Sequence, residues 1–144
     1  MSLRRAAHAV WDCQYHLMWT PKRRKAIFTG EVAARVEAIL RESAEAYDIE
    51  ILEFGLGVDH LHFLCAFAPR FSVSHVVMRL KSLTARRLFS EFPYLRHRFP
   101  SNELWEGSYF VRTVGSGVDA QMVAGYISRH ADDVLDEQSD FFDS

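Results

Sequence analysis

The stretch of sequence that decides the fold is IEILEFGLGVDHLHFLCAFA, residues 49–68. Its first half is a largely apolar run that ends at Gly57, and its second half is another that starts at His60. Only two residues separate the runs, and such a short connection is typical of an antiparallel hairpin. The stretch therefore predicts two paired strands, over residues 49–57 and 60–68.

The patterns on either side of this hairpin predict two more strands and three helices. Upstream lie a half-buried strand from about Val10 to Trp19 and a helix from Thr29 or Gly30 to about Ala46. Downstream lie a helix with Ser72 as N-cap that stops near Pro93, a strand over 105–114, and a last helix over about 118–135. This order predicts an α+β fold, a ferredoxin-like sandwich whose antiparallel central sheet carries the His-x-His strand.

Length and composition bound the class of protein. The 144 residues are 49% apolar, which is enough for one core, so we expect a single domain over 1–144 with a frayed acidic tail from about residue 136. No apolar run approaches the roughly 18 residues of a membrane span. Two cysteines, Cys13 and Cys65, cannot build a disulfide framework, so we expect a reducing, cytoplasmic location.

The formal net charge of −2 conceals alternating blocks of charge. Residues 1–30 hold six basic side chains against one acid, and residues 70–100 hold seven against one. The intervening and final blocks are acidic, with two basic residues against eight acids over 31–62 and two against nine over 101–144. A fold that joins the two positive blocks would present a basic face, whereas scattered surface charge is the simpler interpretation.

His60 and His62 are the first candidates for chemistry. One residue separates them within a strand, so both imidazoles lie on the same face, opposite Leu61 and Phe63. Two nitrogens on one face are a beginning of a metal site. A pair of histidines on a solvated sheet face is the alternative, and for His-x-His alone it is the commoner one.

The last predicted helix offers two more candidates. Tyr126 and His130 are four residues apart, so they share one helix face, about 6 Å apart along the axis. If this helix packs over the histidine face of the sheet, His130 completes a three-histidine metal site with Tyr126 beside it. Taken separately, a tyrosine such as Tyr126 is more often a core aromatic, and a histidine near a helix C-terminus, such as His130, is more often a partner of the helix dipole.

A tyrosine next to a metal ion indicates one reaction in particular. The phenol oxygen attacks a phosphodiester while the cation polarises a non-bridging oxygen, and the product is a covalent phosphotyrosine link. Magnesium and manganese both prefer oxygen donors, and a site with three histidines is richer in nitrogen than magnesium selects, so manganese is favoured.

With these segments in hand, the chain resembles the single-tyrosine HUH transposases of small bacterial insertion sequences, the TnpA type of the insertion-sequence 200/605 family. The resemblance covers roughly residues 11–131. The matching segments, in chain order, are YHLMW at 15–19, KRR at 22–24, GEV at 30–32, VDHLHFL at 58–64 on the central strand, LKSLTARR at 80–87, LWEGSY at 104–109 and GYISRH at 125–130 on the late helix.

The resemblance implies a homodimer that binds single-stranded DNA hairpins at the ends of a mobile element. It implies cleavage with magnesium or manganese that leaves a 5′-phosphotyrosine and a free 3′-hydroxyl. By this match His60 and His62 are metal ligands and Tyr126 is the nucleophile. His130, where the family usually has glutamine, is the third ligand. Neither a membrane nor a nucleotide cofactor is expected.

Single-stranded DNA requires a cationic track and platforms for its bases. We expect Trp19, Phe28 and Trp105 as platforms, although most aromatic residues must be in the core. The predicted DNA contacts are Lys22, Arg23, Arg24 and Lys25 in the basic turn, and Lys81, Arg86 and Arg87 on the second helix. Two alternatives remain open: a hairpin-binding protein for DNA or RNA that does not cleave, and a metal phosphodiesterase that uses water.

Overall fold

The computed structural model describes residues 4–6, 9–11 and 13–114, with side chains from Cys13 onward. The last predicted helix, with Tyr126 and His130, and the acidic tail lie outside the described residues. The elements are β1 (Arg4–Ala6), β2 (Ala9–Trp11), β3 (Gln14–Trp19), α1 (Gly30–Glu45), β4 (Glu50–Gly57), β5 (His60–Ala66), α2 (Val73–Glu91), α3 (Leu95–Arg98) and β6 (Phe110–Val114), with a short 3-10 turn at Lys22–Arg24.

The main sheet has the strand order β4-β5-β3-β6, and all of its neighbouring strands are antiparallel. Helix α1 connects β3 to β4, and α2 lies between β5 and β6 in the chain. Two β-α-β units are therefore interleaved, so that the strands of one alternate with the strands of the other. This arrangement confirms the predicted α+β, ferredoxin-like fold and places the histidine strand β5 in the interior of the sheet.

The first and last predicted strands differ from those observed. Residues 9–11 do not extend β3, because they pair with β1 in a separate two-stranded ribbon in which Ala6 lies opposite Ala9. The prediction of a strand from Trp105 is also wrong, since β6 begins at Phe110. Trp105 instead donates its indole N–H to the carbonyl of Lys81 and to Thr84 Oγ1, which turns it towards α2. The short helix α3 was not predicted.

The two faces of the sheet have different chemistry. Leu17, Trp19 and Phe63 lie on one face and belong to the hydrophobic core that α1 and α2 complete. Alternate residues point the other way, which brings His16, Met18 and the two histidines of β5 to the opposite face. All seven residues of β5 are buried, so the histidine face is not the solvated surface that the simpler interpretation of His-x-His requires.

Helix α2 begins as the sequence predicts, because the Ser72 hydroxyl accepts a hydrogen bond from the backbone N–H of His75 at 3.1 Å. Thr29 precedes α1 without a side-chain capping bond. Both cysteines are free. Among the described residues, no helix combines the length and the apolar character needed to cross a membrane.

Candidate active site

The paired histidines of β5 lie side by side on the sheet face that is opposite the helical core. Their ring centroids are 5.9 Å apart and the ring planes differ by 17°. His60 is 7% exposed and His62 is 5% exposed. Burying two imidazoles removes them from water, and that cost is justified where the ring nitrogens have partners. The pair therefore has the placement of a functional site.

Two glycines of β4 make room for the two imidazoles. In the hairpin register Gly57 lies opposite His60, and Gly55 lies opposite His62. A Cβ built on Gly57 would be 2.1 Å from a ring carbon of His60, and one on Gly55 would be 2.3 Å from a ring carbon of His62. The rings thus lie directly against the backbone of β4. Any larger residue at either position would displace a histidine.

This glycine cradle, Gly55 and Gly57, was not singled out by sequence analysis, although the sequence contains the signal. A two-residue turn fixes the pairing of the two strands. Gly57, just before the turn, therefore faces His60 just after it, and Gly55 faces His62 two residues farther along. Where glycine alternates on one strand and histidine alternates on its neighbour in the same register, the histidine rings are expected to lie over the backbone of the glycine strand.

The turn between the two strands supplies a carboxylate to His60. The ring atom Nδ1 of His60 is 3.0 Å from Asp59 Oδ1. An ionised carboxylate only accepts hydrogen bonds, so the proton of this contact is on Nδ1 and the lone pair of Nε2 is left for another partner. The second oxygen of Asp59 is 3.2 Å from Nη2 of Arg24.

A third imidazole, on β3, adjoins the pair, and sequence analysis did not single it out as a site residue. His16 is 2% exposed, and its ring meets that of His62 edge to face with centroids 5.9 Å apart. Its Nε2 is buried and finds no hydrogen-bond partner among the described residues. Burial, with smaller contributions from His62 and Arg112, lowers the pKa of His16 from 6.5 to about 4, so its ring is neutral at pH 7.

The described residues fit part of a divalent-cation site. Histidine is the commonest side-chain ligand for metal ions in proteins, and the His60 contact to Asp59 is the kind that orients a ligating histidine. Within the described part of the chain, no group of three histidine, cysteine, aspartate or glutamate side chains is placed to hold a metal ion. His60 and His62 would supply two ligands, and the predicted third, His130, lies outside the described residues, as does Tyr126.

The two positive blocks of the sequence meet in a cleft of about 410 Å³. The ammonium of Lys25 donates to the backbone carbonyl of Arg98, which joins the basic turn to the end of α3. The cationic side chains that line the cleft are Lys22, Arg23, Lys25 and Arg98. This placement confirms that the fold brings the positive blocks together, and it adds Arg98, which the sequence did not single out.

The other predicted DNA contacts differ in how many ion pairs and hydrogen bonds they already make within the protein. Arg86 is exposed. Arg87 forms ion pairs with Glu42 at 2.8 Å and Glu91 at 3.3 Å. The ammonium of Lys81 donates to the carbonyls of Glu106 and Ser108, at 2.7 and 3.0 Å. DNA contact by these residues stays a prediction, and the contacts of Lys81 favour a structural role.

The aromatic platforms predicted for DNA bases are wrong. Trp19, Phe28 and Trp105 are all buried in the hydrophobic core. Trp105 lies 6.0 Å from Trp19 and 5.9 Å from Phe28, measured between ring centroids. Because all three rings are buried, with exposed fractions of 7% or less, none offers a free face to a nucleic-acid base.

Solved structures share this architecture. A putative transposase from Deinococcus radiodurans R1 superposes with a TM-score of 0.72 at 32% identity, over 88% of this chain and 96% of that one. A REP-associated tyrosine transposase bound to a REP hairpin gives a TM-score of 0.57 at 13% identity, over 88% of this chain and 70% of that one, which is a likeness of fold. Fold and histidine strand together define a ferredoxin-like domain of the transposase class.

Comparison with known sequences identifies the family within this class. Residues 9–130 match the family described as "Transposase IS200 like". The transposase of insertion sequence IS200 from Salmonella typhimurium is 37% identical over 109 residues, which are 76% of this chain and 72% of that protein. The ISDra2 transposase TnpA of Deinococcus radiodurans is 31% identical over 130 residues, 90% of this chain and 93% of that protein. The chain belongs to the IS200-like transposase family.

Proposed function

We propose that this protein is a metal-dependent DNA transposase that cleaves and rejoins single-stranded DNA at hairpin-bearing transposon ends. The observation that carries the proposal is the buried histidine pair on its glycine cradle. A solvated histidine pair would need no cradle, whereas two ligands of one cation must be held in a fixed position. Membership of the IS200-like family supports the same reaction class.

The residues have separate roles in the proposed reaction. His60 and His62, with His130 as a third ligand, would hold magnesium or manganese, which when bound neutralises charge on the phosphate oxygens. The hydroxyl oxygen of Tyr126 attacks the scissile phosphorus as the bond to the 3′ oxygen breaks. The phenol proton is lost and the 3′ oxygen gains one, which leaves a 5′-phosphotyrosine and a free 3′-hydroxyl. Attack by a 3′-hydroxyl on the phosphotyrosine reverses these changes and joins the strands without ATP.

The cationic cleft would bind the phosphate backbone that leads to this site. Lys22, Arg23, Lys25 and Arg98 supply a cluster of positive charge on a molecule whose net charge is −2. Charge of this kind gives salt-dependent affinity without sequence preference. Hairpin recognition and a homodimeric assembly are parts of the proposal that rest on the family. The hairpin bound to the REP-associated transposase of similar fold is in keeping with hairpin recognition.

A covalent adduct tests this function. The protein is incubated with manganese and a labelled single strand that carries a hairpin near an element end, then resolved on a denaturing gel. We expect a labelled protein band with the intact protein and none with Tyr126→Phe. Tight binding without an adduct would instead indicate a hairpin-binding protein, and cleavage without an adduct would indicate a phosphodiesterase that uses water.

A further inference from the structure

Asp59 lies between the basic turn and the histidine pair and contacts both. Its Oδ1 accepts from Nδ1 of His60 at 3.0 Å, and its Oδ2 is 3.2 Å from Nη2 of Arg24. The exposed fraction of the side chain alone falls from 32% for Arg24 to 24% for Asp59 and 9% for His60. A continuous polar chain thus runs from the partly exposed turn to the buried imidazole.

The backbone of the basic turn is fixed so that Arg24 reaches Asp59. Arg23 and Arg24 both have left-handed conformations, with φ of 58° and 52°. Such a conformation costs a residue other than glycine on the order of 1 kcal/mol, so surrounding contacts must hold it. The N–H of Arg24 donates to the carbonyl of Pro21, and the N–H of Arg23 donates to a carboxylate oxygen of Glu106.

A second backbone contact keeps the two segments in register. The N–H of Phe28, just after the basic turn, donates to the carbonyl of Val58 at 3.0 Å. Val58 immediately precedes Asp59 in the β4–β5 turn. The basic turn and the hairpin turn are therefore attached to each other by backbone as well as by the ion pair. A shift of one would be transmitted to the other.

We propose that Asp59 is a positioning residue for the metal ligand His60, and that Arg24 holds Asp59 in place. The inference rests on the proposed function, because it assigns His60 as a ligand. The carboxylate keeps the imidazole proton on Nδ1. The lone pair of Nε2 is then available to the metal ion, and the hydrogen bond makes Nε2 a stronger metal ligand. The close approach of the Gly57 backbone limits where the His60 ring can lie, and the contact with Asp59 fixes the rotation of the ring.

This assignment gives Arg24 a different role from its neighbours in the turn. Lys22, Arg23 and Lys25 line the cationic cleft, and Arg24 does not. Removal of Arg24 would thus change the histidine site, whereas removal of Lys22 or Arg23 would change only the affinity for a phosphate backbone. The turn combines a DNA-facing part and a part that supports the ligand.

The test uses the full chain with Asp59→Ala, Asp59→Asn and Arg24→Ala, and with Glu103→Ala as the matched control. Glu103 is the carboxylate that pairs with Lys22 of the same turn. Two quantities are measured without DNA: the affinity for Mn²⁺ by calorimetry, and the His60 tautomer by ¹⁵N NMR of the metal-free protein. Thermal unfolding verifies that each variant is folded.

We expect Asp59→Ala to weaken Mn²⁺ binding roughly 10- to 100-fold and to lose the Nδ1–H tautomer of His60. Asp59→Asn, which keeps an acceptor oxygen, should fall between Asp59→Ala and the unchanged protein. Arg24→Ala should weaken binding in the same direction but by less, and Glu103→Ala should leave both readouts unchanged. Asparagine in place of Asp59 also controls for lost volume.

The outcomes separate this inference from the proposed function. If the unchanged protein binds Mn²⁺ and Asp59→Ala binds it equally well with the same tautomer, the role of Asp59 is overturned and the function stands. If the unchanged protein binds no Mn²⁺, the proposed metal site fails. In that case the His60 tautomer alone tests the role of Asp59. A tautomer that changes in Asp59→Ala supports Asp59 as the positioning residue of His60, and a tautomer that stays the same overturns that role.

Discussion

Gly57 determines whether the imidazole of His60 fits against the sheet. Because an added Cβ would lie 2.1 Å from the ring, Gly57→Ala must displace His60 from the position that Asp59 gives it. We expect a loss of stability of about 1–3 kcal/mol from overpacking. We also expect much weaker Mn²⁺ binding, measured by calorimetry alongside urea denaturation.

Gly107 provides the control for this substitution, since a Cβ there meets no atom of the described part of the chain within 4 Å. Gly107→Ala should leave both the free energy of unfolding and the Mn²⁺ affinity unchanged. Equal behaviour of the two alanine variants would contradict the cradle as the feature that positions the histidines.

Lys81 gives a prediction about pH. Burial lowers the pKa of Lys81 from 10.5 to about 8, with Glu106 opposing the shift. Between these values the unfolded chain binds more protons than the folded one, so the free energy of unfolding rises with pH and this contribution is lost as pH falls through about 8. We expect urea denaturation to show this rise in the unchanged protein and a smaller one in Lys81→Met. Parallel pH profiles would show that the ammonium is not buried.

At the scale of elements, the two long helices begin differently. Ser72 caps α2 through its hydroxyl, whereas Thr29 precedes α1 without a side-chain bond. We therefore expect Ser72→Ala to lower the free energy of unfolding by about 1 kcal/mol. Thr29→Ala should have little effect. Urea denaturation of the two variants measures the difference, and equal losses would contradict the capping bond at Ser72.

The elements also show how much of the structure local sequence patterns can predict. The hairpin, both long helices and the Ser72 cap depend on contacts between near neighbours, so period and turn length are sufficient to predict them. The ribbon of β1 and β2 and the late start of β6 depend on competing partners. Trp105 has a strand-like pattern, yet its indole finds hydrogen bonds on α2, a contact made across 24 residues.

The candidate active site, like the elements, was predicted from the sequence only as far as local patterns reach. Period-two alternation places His60 and His62 on one face, but it does not show that the face is buried, because burial depends on what packs there. Asp59 and Arg24 meet only when the basic turn folds onto the hairpin, so Arg24 resembles a DNA contact in sequence and pairs with a carboxylate in the structure. The prediction of Trp19, Phe28 and Trp105 as base platforms was wrong for the same reason, because their burial depends on packing between distant segments.

For the whole molecule, the distribution of charge matters more than its sum. Arg98 and Arg23 come from different positive blocks and line one cleft. We expect Arg98→Gln and Arg23→Gln each to weaken single-stranded DNA binding and to reduce the slope of log affinity against log salt by about 0.7. Fluorescence anisotropy over a salt series measures both quantities.

Arg70 is the control for charge alone, because it is exposed and does not line this cleft. Arg70→Gln changes the net charge by the same amount and should leave the salt slope unchanged. If all three variants reduced the slope equally, the cleft would have no special part in DNA binding and the field of the whole protein would account for it.

The identity of the residue that carries DNA tests the central claim most directly. After reaction with hairpin DNA and manganese, the protein is digested with nuclease and protease, and tandem mass spectrometry locates the nucleotide remnant. The account predicts a single modified peptide with the phosphate on Tyr126, absent when His60 and His62 are both replaced by alanine. A remnant on another residue, or one that persists without the two histidines, would contradict it.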